Sequence, residues 1–194
     1  MDIVLASASK RRSKILSSCG IRHKVLVSRV RETMEGRSPS SIAVANAERK
    51  ADKVAKKIKA GFIIGADTVV LLGKSIIGKP NDEAHAKMML RQFSGRNISV
   101  YTGLCIIDAK TKIKVLDYER SMVRVKKIRP KELSRYFRLL GPYDKAGGFS
   151  IEGVGSFIFD DIKGSYFNVL GLPTARLKYM FESLGQDVLK IIES

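Results

Sequence analysis

The chain has no tryptophan, only two cysteines, and no apolar run approaching the ~20 residues that a membrane span needs. Cys19 and Cys105 are widely separated and form no Cys-x-x-Cys pair, so neither a disulfide framework nor a zinc site is predicted. We expect both cysteines to be free, buried thiols. The first residues lack the basic leader of a signal peptide, so we expect no membrane association and a cytoplasmic location.

Acidic residues are also scarce. The chain has 36 Lys and Arg against 19 Asp and Glu, which gives a formal net charge of +17. Such an excess favours an anionic partner, which could be a nucleic acid, a nucleotide phosphate or an anionic membrane surface. The basic residues are spread along the whole chain and form no tail. Charge alone therefore does not separate a nucleic-acid-binding module from an enzyme that acts on small phosphates.

Apolar patterns alternate between the spacing of strands and the spacing of helices. Strands are predicted at 2–6, 22–28, 63–70, 99–108 and 114–127, with strand-like pieces at 156–159 and 167–170; helices are predicted from 10 to near 20, 38 to near 61, 81 or 82 to 93, 130–140 and 173–184. The turn near Lys110 implies antiparallel pairing, so the class is α/β with a mixed sheet. We expect a single domain over residues 1–194.

Asp67 interrupts a β-branched run that covers residues 63–70. A buried ionised carboxylate is costly unless it is paired, hydrogen-bonded or bound to a metal. Asp67 is therefore either a structural acid with satisfied hydrogen bonds or a working one. Lys50 lies in the middle of a predicted helix, where a solvated basic side chain is the simplest interpretation.

The first predicted strand ends in the small polar loop Ser7-Ala8-Ser9, and Arg11 and Arg12 follow in the first turn of a helix. This order aims backbone N–H groups and the positive end of a helix dipole at one point, which is typical of a phosphate site. A solvated basic first turn is the alternative. The glycine-rich segment 143–173 has neither the P-loop nor the dinucleotide-binding order.

Six motifs in the same order resemble the Maf family of nucleoside triphosphate pyrophosphatases, also called septum formation inhibitor proteins. The resemblance spans about residues 2–180, and its motifs are Leu5-Ala6-Ser7-Ala8-Ser9 with Arg11-Arg12, Gly65-Ala66-Asp67-Thr68-Val69-Val70, Gly78-Lys79-Pro80, Tyr101-Thr102-Gly103, Asp144-Lys145-Ala146-Gly147, and Gly164-Ser165-Tyr166 leading to Gly171-Leu172-Pro173.

The resemblance implies an elongated mixed β-sheet flanked by helices, with two lobes around a central cleft, similar to the inosine-triphosphate pyrophosphatase fold. It implies hydrolysis of a nucleoside triphosphate to the monophosphate and pyrophosphate with a divalent metal cation, Mg²⁺ or Mn²⁺. It also implies a cytoplasmic homodimer with a link to septum formation. No membrane partner and no specific nucleic acid partner are expected.

The resemblance also assigns roles to individual residues. Asp67 matches the proton acceptor, and Glu32, Lys50 and Lys79 match the acid and the lysines of the cleft. The positions that match the triphosphate-binding loop are Ser7, Ser9, Arg11 and Arg12. We expect catalysis by Asp67, Lys50 and Lys79. Oxygen ligands suit Mg²⁺ or Mn²⁺, so Glu32 and Asp67 are the expected metal ligands.

Three positions are associated with the choice of base in this family. Arg11 and Thr68 resemble the branch that acts on dTTP and UTP, whose third residue is usually Gln. Glu152 instead resembles the branch that acts on 7-methyl-GTP, and Lys10 stands where the family usually has Pro. We expect a pyrimidine nucleotide as substrate. The alternatives are a 7-methyl-GTP pyrophosphatase, an enzyme for damaged purines such as ITP or XTP, a nucleic-acid-binding protein, and a non-catalytic nucleotide sensor.

Overall fold

The computed structural model describes residues 2–140 and 147–193. Its strands are β1 Ile3–Leu5, β2 Lys24–Val25, β3 Phe62–Leu72, β4 Ser75–Ile77, β5 Asn97–Asp108, β6 Lys114–Val125 and β7 Phe159–Lys163. Its helices are α1 Lys10–Ser18, α2 Pro39–Ala55, α3 Glu83–Phe93, α4 Pro130–Leu139, α5 Tyr166–Val169, α6 Thr174–Ser183 and α7 Val188–Glu193, with a 3₁₀-helix at Gly153–Phe157.

Within the described residues, one mixed sheet of seven strands has the order β2-β1-β3-β5-β6-β7, and β4 pairs with β3 outside this path. Strand β1 runs parallel to both β2 and β3, and the other pairs are antiparallel. The long β3–β5 ladder runs from Phe62 opposite Asp108 to Leu72 opposite Ile98. The predicted α/β class and mixed sheet are confirmed.

The buried side chains form separate clusters along the sheet. One cluster packs α1, α6 and α7 against β1, β3 and β5, and includes Leu16, Leu104 and Phe181. A second packs α3 and α4 against the other ends of β3, β5 and β6, and includes Phe93 and Phe137. Residues of both clusters line the cleft described below.

That the chain is one domain over residues 1–194 stays a prediction.

Helix α2 lies with its backbone directly on the opposite face of the sheet. A Cβ added at Gly103 would lie 2.3 Å from the backbone of Ala43 and Val44, and one at Gly65 would lie 2.1 Å from the carbonyl oxygen of Ala47. Only glycine fits at such an approach. Because Gly103 is opposite Asp67 in the ladder, this contact seats α2 beside Asp67.

Several predicted boundaries were wrong. The predicted strand at 22–28 contains only β2, and the helix predicted to reach position 61 ends at Ala55. Of the strand-like pieces, 156–159 begins in the 3₁₀-helix and only its last residue, Phe159, belongs to a strand, whereas 167–170 falls largely in α5. The reason for α5 is a cap, since the Ser165 side chain accepts a hydrogen bond from the backbone N–H of Asn168 and starts a helical turn.

Both cysteines are free thiols, as expected. Cys105 is buried, and that burial raises the pKa of its thiol to about 12, whereas Cys19 is only partly buried. Among the helices that the structure describes, none is long and apolar enough to cross a membrane.

Candidate active site

A cleft of about 1190 Å³ opens beside β3, where Asp67 and Thr68 follow each other. Successive residues of a strand point to opposite faces, so Asp67 meets α2 while Thr68 meets α1. The cleft is lined by Ser7, Ser9, Arg11, Arg12, Glu32, Asn46, Lys50, Asp67, Thr68, Lys79 and Glu152, among others. All the predicted site residues therefore line one cleft.

On the α2 face, Lys50 lies between two carboxylates. Its Nζ donates to Oδ1 of Asp67 at 2.6 Å and to Oε1 of Glu32 at 2.6 Å. Lys50 and Asp67 each have only 9% of the side chain exposed, whereas Glu32 has 48% exposed. Lys50 is therefore a paired, buried cation, and the interpretation of a solvated helix residue is wrong.

The pKa of the Glu32 carboxyl is lowered. Partial burial acts to raise it, but the hydrogen bond and charge of Lys50 outweigh that effect, with smaller contributions from the charges of Lys79 and Arg12. Glu32 is therefore ionised at neutral pH. Lys79 itself is exposed at the wall of the cleft, close enough for its charge to act on Glu32.

Asn46 is a functional residue that the sequence analysis missed. It is 1% exposed, and its Nδ2 donates to Oδ2 of Asp67 at 3.0 Å. The same side chain bonds both the N–H and the carbonyl oxygen of Thr33, next to Glu32. Asn46 thus orients Asp67 and also ties the Glu32 loop to α2. The spacing of four residues between Asn46 and Lys50, on the inward face of one helix, was the available signal.

The loop before α1 is shaped by its two serines. The Ser9 side chain caps α1 by accepting from the backbone N–H of Arg12 at 3.4 Å. Ser7 Oγ accepts from the backbone N–H of Ser9 at 3.2 Å and from Nη1 of Arg12 at 3.0 Å. The N-terminal end of a nine-residue helix therefore opens on the cleft.

Arg12 is buried and donates mainly to protein oxygens. Its acceptors are the carbonyl oxygens of Gly171 at 2.8 Å and Ala66 at 2.9 Å, and the side chains of Ser7 at 3.0 Å and Thr68 at 2.9 Å. Burial lowers the pKa of its guanidinium, while the negative charges of Asp67 and Glu32 oppose that shift. Because these bonds use four of the five N–H groups of a guanidinium, Arg12 chiefly holds together the loop, β3 and the segment after α5.

A chain of hydroxyls leads from Thr68 into the core. Thr68 Oγ1 lies 3.0 Å from Oγ1 of Thr102, which donates to the carbonyl oxygen of Asn168 at 3.1 Å. The Asn168 side chain donates to Val100 and Ser121, and its Oδ1 is the one buried side-chain polar atom without a partner among the described residues. Thr102 and Asn168 were also missed as site residues.

Arg11 and Glu152 form an ion pair, with 3.5 Å between Nε and Oε2. The Arg11 side chain is 20% exposed and that of Glu152 is 42% exposed. Glu152 also accepts a 3.4 Å hydrogen bond from the Ser150 hydroxyl. Two of the three positions associated with base choice therefore touch each other. The motif residues Asp144 and Lys145 lie outside the described residues.

The oxygens of Glu32 and Asp67 converge on one point, since both contact the same ammonium at 2.6 Å. Within residues 2–140 and 147–193, no group of three His, Cys, Asp or Glu residues could hold a metal by itself. The Lys50 ammonium fills that point, so a metal ion would bind beside it through the remaining acceptor sites of the two carboxylates and would take further ligands from phosphate and water. Mg²⁺ usually binds in this way, through one or two carboxylates, so the residues present fit such an ion.

Comparisons with known proteins show the family and the fold of the chain. Residues 2–184 match the family described as Maf-like protein. A dTTP/UTP pyrophosphatase of Caldicellulosiruptor saccharolyticus is 37% identical over 193 residues, which is 97% of both chains. A dTTP/UTP pyrophosphatase of Thermoanaerobacter sp. is 42% identical over 178 residues, which is 91% of this chain and 93% of that protein. The Ham1 protein of Staphylococcus aureus has a similar fold, with a TM-score of 0.50, 14% identity, and coverage of 94% of this chain and 99% of that one.

Proposed function

Because the chain belongs to the Maf-like protein family, we propose that it hydrolyses nucleoside triphosphates, with dTTP and UTP as the preferred substrates, to the nucleoside monophosphate and pyrophosphate. The observation that carries this proposal is the placement of Lys50 between Asp67 and Glu32, in a cleft that the Ser7–Arg12 loop also lines. Similar relatives that are named dTTP/UTP pyrophosphatase support the substrate class.

The proposed reaction needs a base near the α-phosphorus and cations around the phosphates. The oxygen of a water molecule attacks the α-phosphorus and its proton passes to the carboxylate of Asp67. The bond from the α-phosphorus to the bridging oxygen breaks, and pyrophosphate leaves. Lys50 and Asn46 hold the two Asp67 oxygens in fixed orientation by hydrogen bonds of 2.6 and 3.0 Å. Lys79 adds positive charge to the same wall.

The N-terminal end of α1 and the loop through Ser7 and Ser9 would receive the phosphate chain, because free backbone N–H groups and the helix dipole favour anions. Arg12 keeps that loop in place from beneath, through its bonds to Ser7 and Ala66. Its positive charge still acts across the cleft, as the lowered pKa of Glu32 indicates.

We propose that Glu32 and Asp67 hold a divalent cation, Mg²⁺ or Mn²⁺. Such an ion would supply Lewis-acid stabilisation of charge on the phosphate oxygens. Lys50 already links the two carboxylates, so their positions relative to each other are set before any ion binds. Omitting divalent cations from the assay should abolish pyrophosphate release.

Thr68, Arg11 and Glu152 are the proposed contacts to the nucleoside. A second candidate substrate is 7-methyl-GTP, and the observation in its favour is Glu152, whose carboxylate only accepts hydrogen bonds and so suits the N–H donors of a guanine edge.

We further propose that the protein is a cytoplasmic homodimer linked to septum formation, as the family resemblance implies. Light scattering of the purified protein tests the dimer, since a mass of one 21.5 kDa chain would contradict it. Microscopy of cells that lack or overproduce the protein tests the link to septum formation.

The decisive experiment measures pyrophosphate release with Mg²⁺ or Mn²⁺ from dTTP, UTP, CTP, 7-methyl-GTP and ITP. We expect clear release from dTTP and UTP. Asp67→Asn should lower kcat by at least about a hundredfold, because general-base catalysis contributes on the order of 10²–10⁴. The matched control is Asp161→Asn on exposed β7, which should retain full activity. A fully active Asp67→Asn variant would remove Asp67 from its proposed role, and no release from any nucleotide would refute the proposed activity.

A further inference from the structure

We propose that Thr102 is a positioning residue that takes up the hydrogen of the Thr68 hydroxyl, so that Thr68 can only accept a hydrogen bond from a ligand, and that it accepts this bond from the N3–H of a uracil or thymine base. The inference rests on the proposed function and names the edge of the base that the same site reads. Thr102 is 0% exposed on β5, directly opposite Thr68 in the ladder, and so would act only through its neighbour.

The direction of the hydroxyl chain follows from the number of hydrogens available. Thr102 Oγ1 lies 3.1 Å from the carbonyl oxygen of Asn168 and 3.0 Å from Oγ1 of Thr68. A hydroxyl has one hydrogen and a carbonyl oxygen can only accept, so the Thr102 hydrogen goes to Asn168. The hydrogen between the two threonines must then come from Thr68. If Thr102 instead donated to Thr68, the oxygen of Thr102 and the carbonyl oxygen of Asn168 would face each other in the buried interior with no hydrogen between them, which is costly.

Arg12 cannot accept the hydrogen of the Thr68 hydroxyl either. Its Nη2 donates to Thr68 Oγ1 at 2.9 Å, and a guanidinium has no acceptor to receive a hydrogen in return. Gly171 crowds the same oxygen, since a Cβ built there would lie 3.1 Å from Thr68 Oγ1. Thr68 nevertheless lines the cleft and is only partly buried. What it offers to a ligand is therefore its remaining lone pair.

The cleft also has apolar walls that a flat base could contact. They include the side chains of Val70, Phe149, Ile151 and Leu170, and Val70 lies on the same face of β3 as Thr68, whereas Lys50 and Asp67 occupy the other face. A group that can only accept a hydrogen bond distinguishes ligands only at an atom that can either only donate or only accept. A sugar hydroxyl can donate or accept, but N3 of uracil or thymine carries a hydrogen and N3 of cytosine does not.

The two nucleotides in the names of the similar relatives both carry this N3–H. dTTP and UTP differ at C5 of the base and at the 2′ carbon of the sugar, and they share the N3–H between two carbonyl groups. A site that treats both as substrates is most simply explained by contacts to the part they have in common. In the structure, the acceptor fixed by Thr102 supplies such a contact.

The test compares kcat/KM for UTP and CTP in the wild type and in Thr102→Val. The wild type should prefer UTP. Valine keeps the shape of threonine but removes its hydroxyl, so Thr68 becomes free to donate to N3 of cytosine. We expect the preference for UTP over CTP to fall by about tenfold, the effect of one mismatched hydrogen bond. The carbonyl oxygen of Asn168 still accepts a hydrogen bond from the N–H of Gly171 at 2.9 Å in this variant, so no buried acceptor is left without a donor.

Thr102→Ser is the matched control, because it retains the hydroxyl and should retain the wild-type ratio. A purely structural role for Thr102 would lower the activity on both nucleotides alike, and an unchanged ratio in an active Thr102→Val would overturn the inference. A wild type that hydrolyses UTP and CTP equally well would overturn it without any variant, while leaving the proposed activity intact. A wild type inactive on every nucleotide would remove the proposed function itself, and this inference with it.

Discussion

The two faces of β3 use neighbouring residues in different ways. On one face, Asp67 meets an ammonium and an amide from α2, and a second carboxylate completes the group. On the other face, Thr68 meets a buried guanidinium whose hydrogen bonds go to neutral oxygens of hydroxyl and carbonyl groups. We propose proton transfer and cation binding on the charged face. The hydroxyl face carries neutral hydrogen-bonding groups around the guanidinium.

The difference shows how one strand can serve two ends of a ligand. Alternation along a strand separates adjacent side chains onto opposite faces, so Asp67 and Thr68 occupy unlike surroundings although they are consecutive. A nucleotide has a charged phosphate end and a flat, neutral base with a polar edge. We propose that the charged face acts on the reacting phosphate, that the Ser7–Arg12 loop beside the hydroxyl face holds the rest of the phosphate chain, and that Thr68 contacts the base. Substitutions on each face should therefore have distinct effects.

The largest effect is expected from Lys50→Met. Removing the ammonium leaves the buried Asp67 carboxylate without its cation, so we expect the free energy of unfolding to fall by about 3 kcal/mol. Pyrophosphate release should also be lost. Urea unfolding and the release assay measure the two effects. Lys53→Met, on the exposed side of the same helix, is the control. If the two variants unfold at the same urea concentration, the pairing of Lys50 contributes nothing to stability.

A smaller effect is expected from Arg12→Lys on the hydroxyl face. Lysine keeps the charge but replaces a planar group of five donors with a single ammonium, which cannot reach four separate acceptors. We expect a loss of about 2 kcal/mol in the free energy of unfolding, from two to three lost hydrogen bonds. Arg91→Lys, exposed on α3, should unfold like the wild type. Equal stability of the two variants would mean that charge alone matters at position 12.

The smallest effect concerns acid stability and Glu32. Folding lowers the pKa of Glu32, so its contribution to stability is present above its unfolded pKa of about 4.3 and is lost as the pH falls through the lower folded value. Glu32→Gln should therefore be less stable than the wild type at pH 7, and the difference should shrink as the pH falls below about 4.3. Urea unfolding across this range measures the difference. Glu35→Gln, exposed in the same loop, should follow the wild type throughout. Parallel curves for wild type and Glu32→Gln would contradict the assigned shift.

Much of the framework could be predicted from local pattern. Ser38 and Pro39 mark the start of α2. Asp82 caps α3, whose predicted start was residue 81 or 82. The β-branched runs mark β3 and β5 because such residues pack well on a pleated surface. These signals act over a few residues, so they are visible without the fold. The errors at 156–159 and 167–170 fall where short apolar segments form helical turns instead of strands. The first follows glycines in the 3₁₀-helix, and the second follows the Ser165 cap.

The site was only partly predictable. The family resemblance pointed to Asp67, Glu32 and Lys50, and the structure places Lys50 in contact with both carboxylates. Asn46 and Asn168 were not singled out, and Thr102 stood in a motif without a role, because a polar residue inside a helix or strand carries no local sign of whether it faces water or a buried partner. Arg12 was expected at the phosphates, and its bonds to Gly171 and Ala66 could not be foreseen from a residue 159 or 54 positions away.

The sequence by itself determined the class of fold, the order of most elements, the family resemblance and the chemical types available at the cleft. These depend on periodicity, capping residues and short motifs, all of which are local. Only the tertiary structure decided which charge meets which, and which hydroxyls lie within hydrogen-bonding distance of each other. Those outcomes depend on the backbone contact between α2 and the glycines of β3 and β5, and on the ladder that places Thr68 opposite Thr102. Pairing of buried polar groups is set by distances between segments far apart in the chain, and no local pattern encodes such distances.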